Sequence, residues 1–307
     1  MSAVGAATAG PGLPRTLAAV VGVGAVTGAA TLAYALWEAH QFTLRHVEVP
    51  VLSAGSTPLT LLHISDLHLT AGQEDKERWV RALVDLSPDF VIATGDFVSS
   101  AGGVARLPSA LDPLLALPGA FVFGSNDYFA AKTINPMKYF AGPSKVRRRK
   151  PDLPTDQLRR GLTDAGWLDL NNAAGALHPG GQTVSLIGSA DPHIKLDDYA
   201  SVAGNWVPGA NVKIGVVHAP YLRVLEAMAA DGADLIIAGH THGGQICLPG
   251  FGTLVTNCDL DRKRARGLSR YDDAYLHVSA GLGTNPNAPI RLACRPEATL
   301  MRLTARD

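Results

Sequence analysis

The 307 residues are 47% hydrophobic, enough to bury a sizeable core, which excludes a disordered chain. Lys plus Arg and Asp plus Glu each total 27, so no global field attracts nucleic acid, and an anionic partner must be met locally. Cys247, Cys258 and Cys294 have neither CxxC spacing nor an even number, which argues against a disulfide or zinc framework.

Residues 1–15 read as a polar-to-neutral tail. From Thr16 to Trp37 the chain carries no charge, and as a helix this stretch would be about 33 Å long, enough for a bilayer's hydrocarbon core. Residues 16–37 are therefore expected as one transmembrane helix, with Tyr34 and Trp37 at the headgroup level. Ala33-Tyr34-Ala35 resembles a cleavage site, but the apolar run exceeds the ~7–15 residues usual in a signal peptide. The expected placement is single-pass in the cell membrane, with the catalytic domain outside the cytoplasm.

Residues 38–57 read as an extended linker. From 58 to 305 short apolar runs alternate with amphipathic stretches, the pattern of an α/β domain. The runs are Thr60–Ser65, Phe90–Thr94, Ala120–Gly124, Val184–Gly188, Val212–Val217, Leu235–Ala238, Tyr275–Val278 and Ala298–Leu303. Between them, Glu74–Leu86 and Tyr221–Ala230 carry apolar residues at helical spacing. Residues 129–172 break the rhythm with several prolines, the basic run Lys145 to Lys150 and a short helix capped by Thr155. This segment is expected as an insertion beside a site. The basic run is a possible contact for phospholipid headgroups or an anionic substrate, though most such runs are solvated loops.

Five of the apolar runs end in metal-binding residues: Asp66 and His68, Asp96, Asn126 with Asp127, His218, and His240 with His242. In an open α/β sheet functional groups gather outside the carboxyl ends of the strands, so these sets are expected to converge. Seven potential donors, Asp66, His68, Asp96, Asn126, His218, His240 and His242, are too many for one ion and suit two. Their mix of oxygen and imidazole nitrogen fits Mn, Fe or Zn better than Mg. Taken singly, His63, His178 and His277 are ordinary core or surface histidines, and Asp191, Asp197 and Asp198 are ordinary turn and cap residues. Asn285 and Asn287, in a glycine-rich loop, are possible substrate contacts.

In these five blocks the sequence resembles the calcineurin-like metallophosphoesterase family, whose motifs read approximately D-x-H, G-D, G-N-H-D/E, H and G-H-x-H. Ile64-Ser-Asp-Leu-His68 and Gly239-His-Thr-His-Gly-Gly-Gln245 look like its bacterial, membrane-associated branch. The resemblance implies a four-layer α/β/β/α sandwich of two mixed sheets. It also implies one metal on Asp66, His68, Asp96 and His242, and a second on Asp96, Asn126, His218 and His240. The third block, Gly124-Ser125-Asn126-Asp127, departs from the pattern. Aligned without a gap, it puts Ser125 at the metal-binding Asn and Asn126 at the catalytic His. Shifted by one, it puts Asn126 on the metal and Asp127 at the His position, the favoured register. His193 is a second candidate for the missing imidazole.

The implied activity is hydrolysis of a phosphate ester, diester or pyrophosphate by metal-bridged hydroxide, with two divalent ions as cofactors. The expected partner is a phosphorylated small molecule or lipid-linked envelope substrate, and no nucleic acid. The alternatives are a soluble nucleotide or cyclic-nucleotide phosphodiesterase, and a binding module that keeps the fold with little turnover.

Overall fold

Side-chain alternation along the buried strands decides the layering. In β3 (Phe90–Ala93), Phe90 and Ile92 join one apolar cluster while Val91 and Ala93 join another, because successive residues of a strand face opposite sides. Such a strand must lie in a sheet covered on both faces. The computed structural model has two sheets of this kind. It describes residues 15–132, 150–248, 250–284 and 288–306, with side chains of the first helix from residue 24 onward.

The first sheet has the order β1 (Thr43–Leu52), β14 (Glu297–Ala305), β2 (Leu59–Ile64), β3, β4 (Gly119–Phe121), β5 (Leu168–Asp169). All neighbours are parallel except β14 against β2. In the second sheet the order is β12 (Gly267–Tyr271), β13 (Ala274–Val278), β9 (Leu235–Ala238), β8 (Val212–Val217), β7 (Val184–Ser189), β6 (Ala173–Leu177). Its outermost pairs are antiparallel and its inner ones parallel; a separate antiparallel pair joins β10 (Cys247–Leu248) to β11 (Gly252–Thr253). Leu61, Phe90, Ile92 and Ala120 of the first sheet meet Leu186, Ile214, Val216 and Ile237 of the second in the central core.

On the outer face of the first sheet lie α2 (Glu74–Ala82), α3 (Ala101–Leu115) and, after the four-residue α4 (Ser125–Tyr128), α5 (Thr155–Thr163). On the second lies α6 (Leu222–Ala230). The expected two-sheet α/β architecture is therefore present.

Several local expectations change. Residues 38–57 are not a free linker: Val47, Val49 and Val51 alternate into the central core, and β1 pairs along its length with β14. Helix α2 stops at Ala82 and tightens into a 3₁₀ turn over Leu83–Leu86, ended by Ser87 in the left-handed region before Pro88. Pro108 and Pro113 hide α3 from a reading of propensity. Even so, Val104, Leu107, Leu111 and Leu114 fall at helical spacing, and Ser100 caps the helix by accepting from Gly103 N. Thr155 is not a cap but the first residue of α5, and its hydroxyl donates to Asp127 O at 2.8 Å. Residues 133–149, with nearly all of the basic run, lie outside the described residues, as do 285–287 with Asn285 and Asn287.

A helix forms over the expected span as α1 (Arg15–Glu38). Among the described residues, however, no helix is long and apolar enough to cross a membrane. The side chains described, residues 24–38, account for only about 22 Å of helix, and the first part of the expected span lies outside them. The last turn of α1 docks on the domain. Ala35 O accepts from Arg291 N at 2.9 Å, and the buried Glu38 carboxylate accepts from Ala293 N at 2.9 Å. Along α1, Val26, Leu32, Leu36 and Trp37 are exposed.

Candidate metal centre

Each ligand-bearing segment leaves the carboxyl end of a strand. Asp66 and His68 follow β2, Asp96 follows β3, Asn126 is the second residue of α4 after β4, His218 follows β8, and His240 and His242 follow β9. Asp66, His68, Asp96, His240 and His242 have φ between 46° and 69°, a left-handed conformation that crowds Cβ and is uncommon outside glycine. Strain of roughly 1–3 kcal/mol per residue persists only where the surroundings fix it. Here Asp66 N donates to Gly95 O, His68 N to Asp96 O and Gly239 N to His218 O, all at 2.9 Å. The sharp turns bring five side chains from two sheets to one edge.

Asp96 Oδ2 lies 3.5 Å from both His68 Nε2 and His218 Nε2, and accepts from Asn126 Nδ2 at 2.8 Å. Asp66 Oδ1 is 3.7 Å from His242 Nε2 and 4.0 Å from His68 Nε2. The two imidazole Nε2 atoms of His68 and His242 face each other at 3.1 Å, and His240 Nδ1 is 3.3 Å from His218 Nε2. Asp66, His68 and His242 thus form one donor cluster, and Asp66, Asp96 and His218 a second.

Outer partners decide which nitrogens are available. His218 Nδ1 lies 2.6 Å from Thr94 O, and His240 Nε2 lies 3.2 Å from Asn257 O. A carbonyl only accepts, so these nitrogens carry protons, which turns His218 Nε2 and His240 Nδ1 inward. His68 Nδ1 lies 2.7 Å from Ser99 Oγ, which orients that ring with Nε2 toward the cluster. Imidazole nitrogens and carboxylate oxygens converging on one place fit divalent cations.

Charge follows the same logic. Burial holds His68 at about 4 and pushes His240 and His242 well below the usual histidine range. Burial also opposes charge on His218, but Asp96 beside it raises that imidazole well above its ordinary value. Asp96 is held well below the carboxylate range, despite burial, by His218 and then His68. Asp66 is pushed up to about 6, chiefly by burial. In the metal-free chain a proton between His218 and Asp96 occupies the place of a cation.

Asp127 does not face this cluster. Its buried carboxylate accepts from the backbone N–H of Asp96 at 2.8 Å, Phe97 at 2.8 Å, Val98 at 3.3 Å and Gly124 at 2.9 Å. Its oxygens are thus engaged by amides, and the expectation that Asp127 takes the place of the catalytic imidazole gives way to a positioning role. Asn126, by contrast, reaches Asp96 with both its side chain and its amide. His193 lies with its ring centroid 4.6 Å from that of His240, and its Nδ1 is 3.0 Å from Tyr221 Oη. Asp191 caps the turn by accepting from His193 N, as expected of a turn residue.

Sequence patterns did not single out the groups that orient the ligands. His277, His63, Thr94 and Ser65 form a buried relay ending at Asp66, with steps of 3.1, 2.9, 2.6 and 2.5 Å. Thr94 donates to Ser65 and Ser65 to Asp66, so His63 Nε2 donates to Thr94, and His277 Nδ1 to His63 Nδ1. Ser65 directly precedes Asp66, and Thr94 precedes Gly95-Asp96, which is the one local signal for them. Gly124 and Gly239 are required by close approach: a Cβ on Gly124 would lie 2.6 Å from His218 Cε1, and one on Gly239 2.6 Å from Asp66 Oδ2.

Asp127→Asn is expected to destabilise the chain by about 2–4 kcal/mol, because an amide NH₂ would face backbone donors, and to lower metal content with it. Chemical denaturation and metal analysis measure both; unchanged stability would remove Asp127 from this role. Because His218 and Asp66 hold protons that a cation displaces, metal affinity is expected to rise as pH climbs through about 6, where Asp66 ionises, and further as His218 loses its proton. Proton release on loading should appear as a buffer-dependent heat in titration calorimetry, and its absence would contradict the charge assignment.

Residues 59–244 match the calcineurin-like phosphoesterase family. Among similar proteins are the uncharacterized metallophosphoesterase YkoQ of Bacillus subtilis, 27% identical over 80% of this chain and 83% of that one, and the UDP-2,3-diacylglucosamine pyrophosphatase LpxG of Chlamydia trachomatis, 27% identical over 80% and 83%. The phosphodiesterase YaeI of Escherichia coli is 24% identical over 81% and 83%. With its family match, its two mixed sheets and its clustered carboxylates and imidazoles, the chain belongs to the calcineurin-like phosphoesterases, hydrolases of phosphate esters that use divalent metal ions.

Proposed function

We propose that this chain hydrolyses a phosphodiester or pyrophosphate bond of an amphiphilic, lipid-linked substrate at a two-cation site. The observation that carries the two-cation reading is Asp96 Oδ2, placed 3.5 Å from an imidazole of each sheet and so positioned to be shared. Asp66, His68, Asp96 and His242 hold one cation, and Asp96, Asn126, His218 and His240 the other. When bound, the cations polarise the phosphoryl group and lower the pKa of a water for in-line attack; Mn, Fe or Zn suits the donors.

The leaving group falls to His193. Burial holds this imidazole at about 4, so it is neutral at pH 7. Tyr221, pushed up to about 12 by burial, keeps its proton and donates it to Nδ1. The ring proton then sits on Nε2, where it can hydrogen-bond a departing oxygen.

The amphiphilic substrate is supported by α1, whose exposed Val26, Leu32, Leu36 and Trp37 suit a membrane better than water. Its last turn is bonded to Arg291 and Ala293, and the Arg291 side chain in turn donates to His242 O. The helix that would hold the domain at a membrane thus ends beside the ligand turn. The lipid-linked pyrophosphate named for LpxG is of the same chemical class.

The test compares metal content and hydrolysis of aryl and alkyl phosphodiesters by the full chain, Asp96→Asn and His193→Ala. Close to two cations per chain is expected, with Asp96→Asn reducing both occupancy and turnover. His193→Ala should lose about 10²-fold on an alkyl leaving group and far less on 4-nitrophenolate. A chain that binds no cation and stays inert with added Mn is not a hydrolase; a soluble diester turned over as well as a vesicle-borne one removes the lipid preference. In flotation with phospholipid vesicles the full chain should rise with the lipid and a chain lacking residues 1–40 should not. Equal behaviour of the two would rule out membrane attachment through α1.

A further inference from the structure

Two thiols lie against the backbone carbonyls of the turn at His242. Cys247 and Cys294 pack with Ala280 as a separate buried cluster. Their backbones lie on neighbouring segments: Ile246 bridges Leu292, and Cys247 N donates to Leu292 O at 2.8 Å. Both sulfurs also reach the ligand turn. Cys294 Sγ donates to His242 O at 3.3 Å, and Cys247 Sγ to Gly243 O at 3.3 Å. The third cysteine, Cys258, is buried in another cluster under α6, where its neighbours include no other cysteine among the described residues.

We propose that Cys247 and Cys294 are a modification site, a dithiol that a small-molecule disulfide converts to a protein disulfide, and that closing it loosens the metal-ligand turn at His242. The Cys247 sulfur, the more exposed of the two, attacks one sulfur of the oxidant, breaks its S–S bond and releases one small thiol. The Cys294 sulfur then attacks Cys247 Sγ and expels the second small thiol. The protein loses two hydrogens, and the oxidant is reduced to two thiols. The second step is favoured because both sulfurs lie against the same carbonyl, Gly243 O, at 3.3 and 3.5 Å, so the exchange is intramolecular.

The consequence for the metal centre follows from the donors lost. In the reduced chain the two S–H groups help satisfy the carbonyls of His242 and Gly243, at a residue whose φ of 51° needs outside support. A disulfide has no S–H. Arg291 Nη1 at 3.3 Å from His242 O and Thr253 Oγ1 at 3.0 Å from Gly243 O remain, but the turn keeps fewer anchors.

The experiment exposes the folded full chain to oxidised glutathione, alkylates remaining thiols after unfolding, and maps the peptides by mass. Expected is a Cys247–Cys294 cross-link lighter by two hydrogens, with Cys258 alkylated, and in Cys294→Ser a persistent glutathione adduct on Cys247. Three alkylated cysteines, a lasting adduct in the unsubstituted chain, or a cross-link through Cys258 would each overturn the assignment. Manganese titration of the oxidised chain should show affinity weakened about tenfold and restored by a reducing thiol. Cross-linking with unchanged affinity would overturn the coupling to His242. The mass readout does not depend on metal or turnover, so its failure is separate from any failure of the hydrolase reading.

Discussion

The carboxylate of Asp127 accepts N–H bonds from Asp96, Phe97, Val98 and Gly124. It ties the end of β3 to the end of β4, and Thr155 at the start of α5 bonds the Asp127 carbonyl from outside. The bond from the Asp96 amide supports its left-handed conformation. From that conformation its Oδ2 meets His68 from one sheet and His218 from the other. Without the knot of amides, this carboxylate between the two sheets would have no fixed direction.

Outside the ligands is a layer of hydrogen bonds with consistent polarity. The carbonyls of Thr94 and Asn257 take protons from His218 and His240, and the relay from His277 through His63, Thr94 and Ser65 donates toward Asp66. Each step turns an imidazole nitrogen or a carboxylate oxygen inward. Burial reinforces this by keeping His68, His240 and His242 neutral. The centre is a preorganised acceptor cage whose mutual repulsion a cation relieves.

A second layer joins the cage to the N-terminal helix. The buried Arg291 side chain donates to carbonyls of Ala280, Gly281 and Gly283 as well as His242, while its own amide bonds Ala35 in α1. Glu38 bonds the same segment at Ala293. The thiols of Cys247 and Cys294 donate to the same ligand turn as Arg291, and Arg291 connects that turn to the helix. A change at any of them reaches His242 through hydrogen bonds rather than through the core.

The ligands were legible in the sequence because they follow directly on apolar strands, where chain position alone dictates the edge they occupy. The same holds for most strands and for the two amphipathic helices, whose periodicity is local. Four features depended on the tertiary structure. β1 looked like a linker because its alternation of three valines has meaning only once β14 lies beside it, and α3 was masked by two prolines that packing overrides. The role of Asp127 depends on where amides of residues 96–98 point, which no linear pattern states. His193 stands beside His240 only because β7 and β9 flank β8 in one sheet, across 46 residues of chain. Local sequence determined which candidate donors stand at the strand ends, since strand ends and turn glycines are set by neighbours along the chain. Only the tertiary structure decided which groups orient those residues, since hydrogen-bond direction is fixed between segments far apart in sequence.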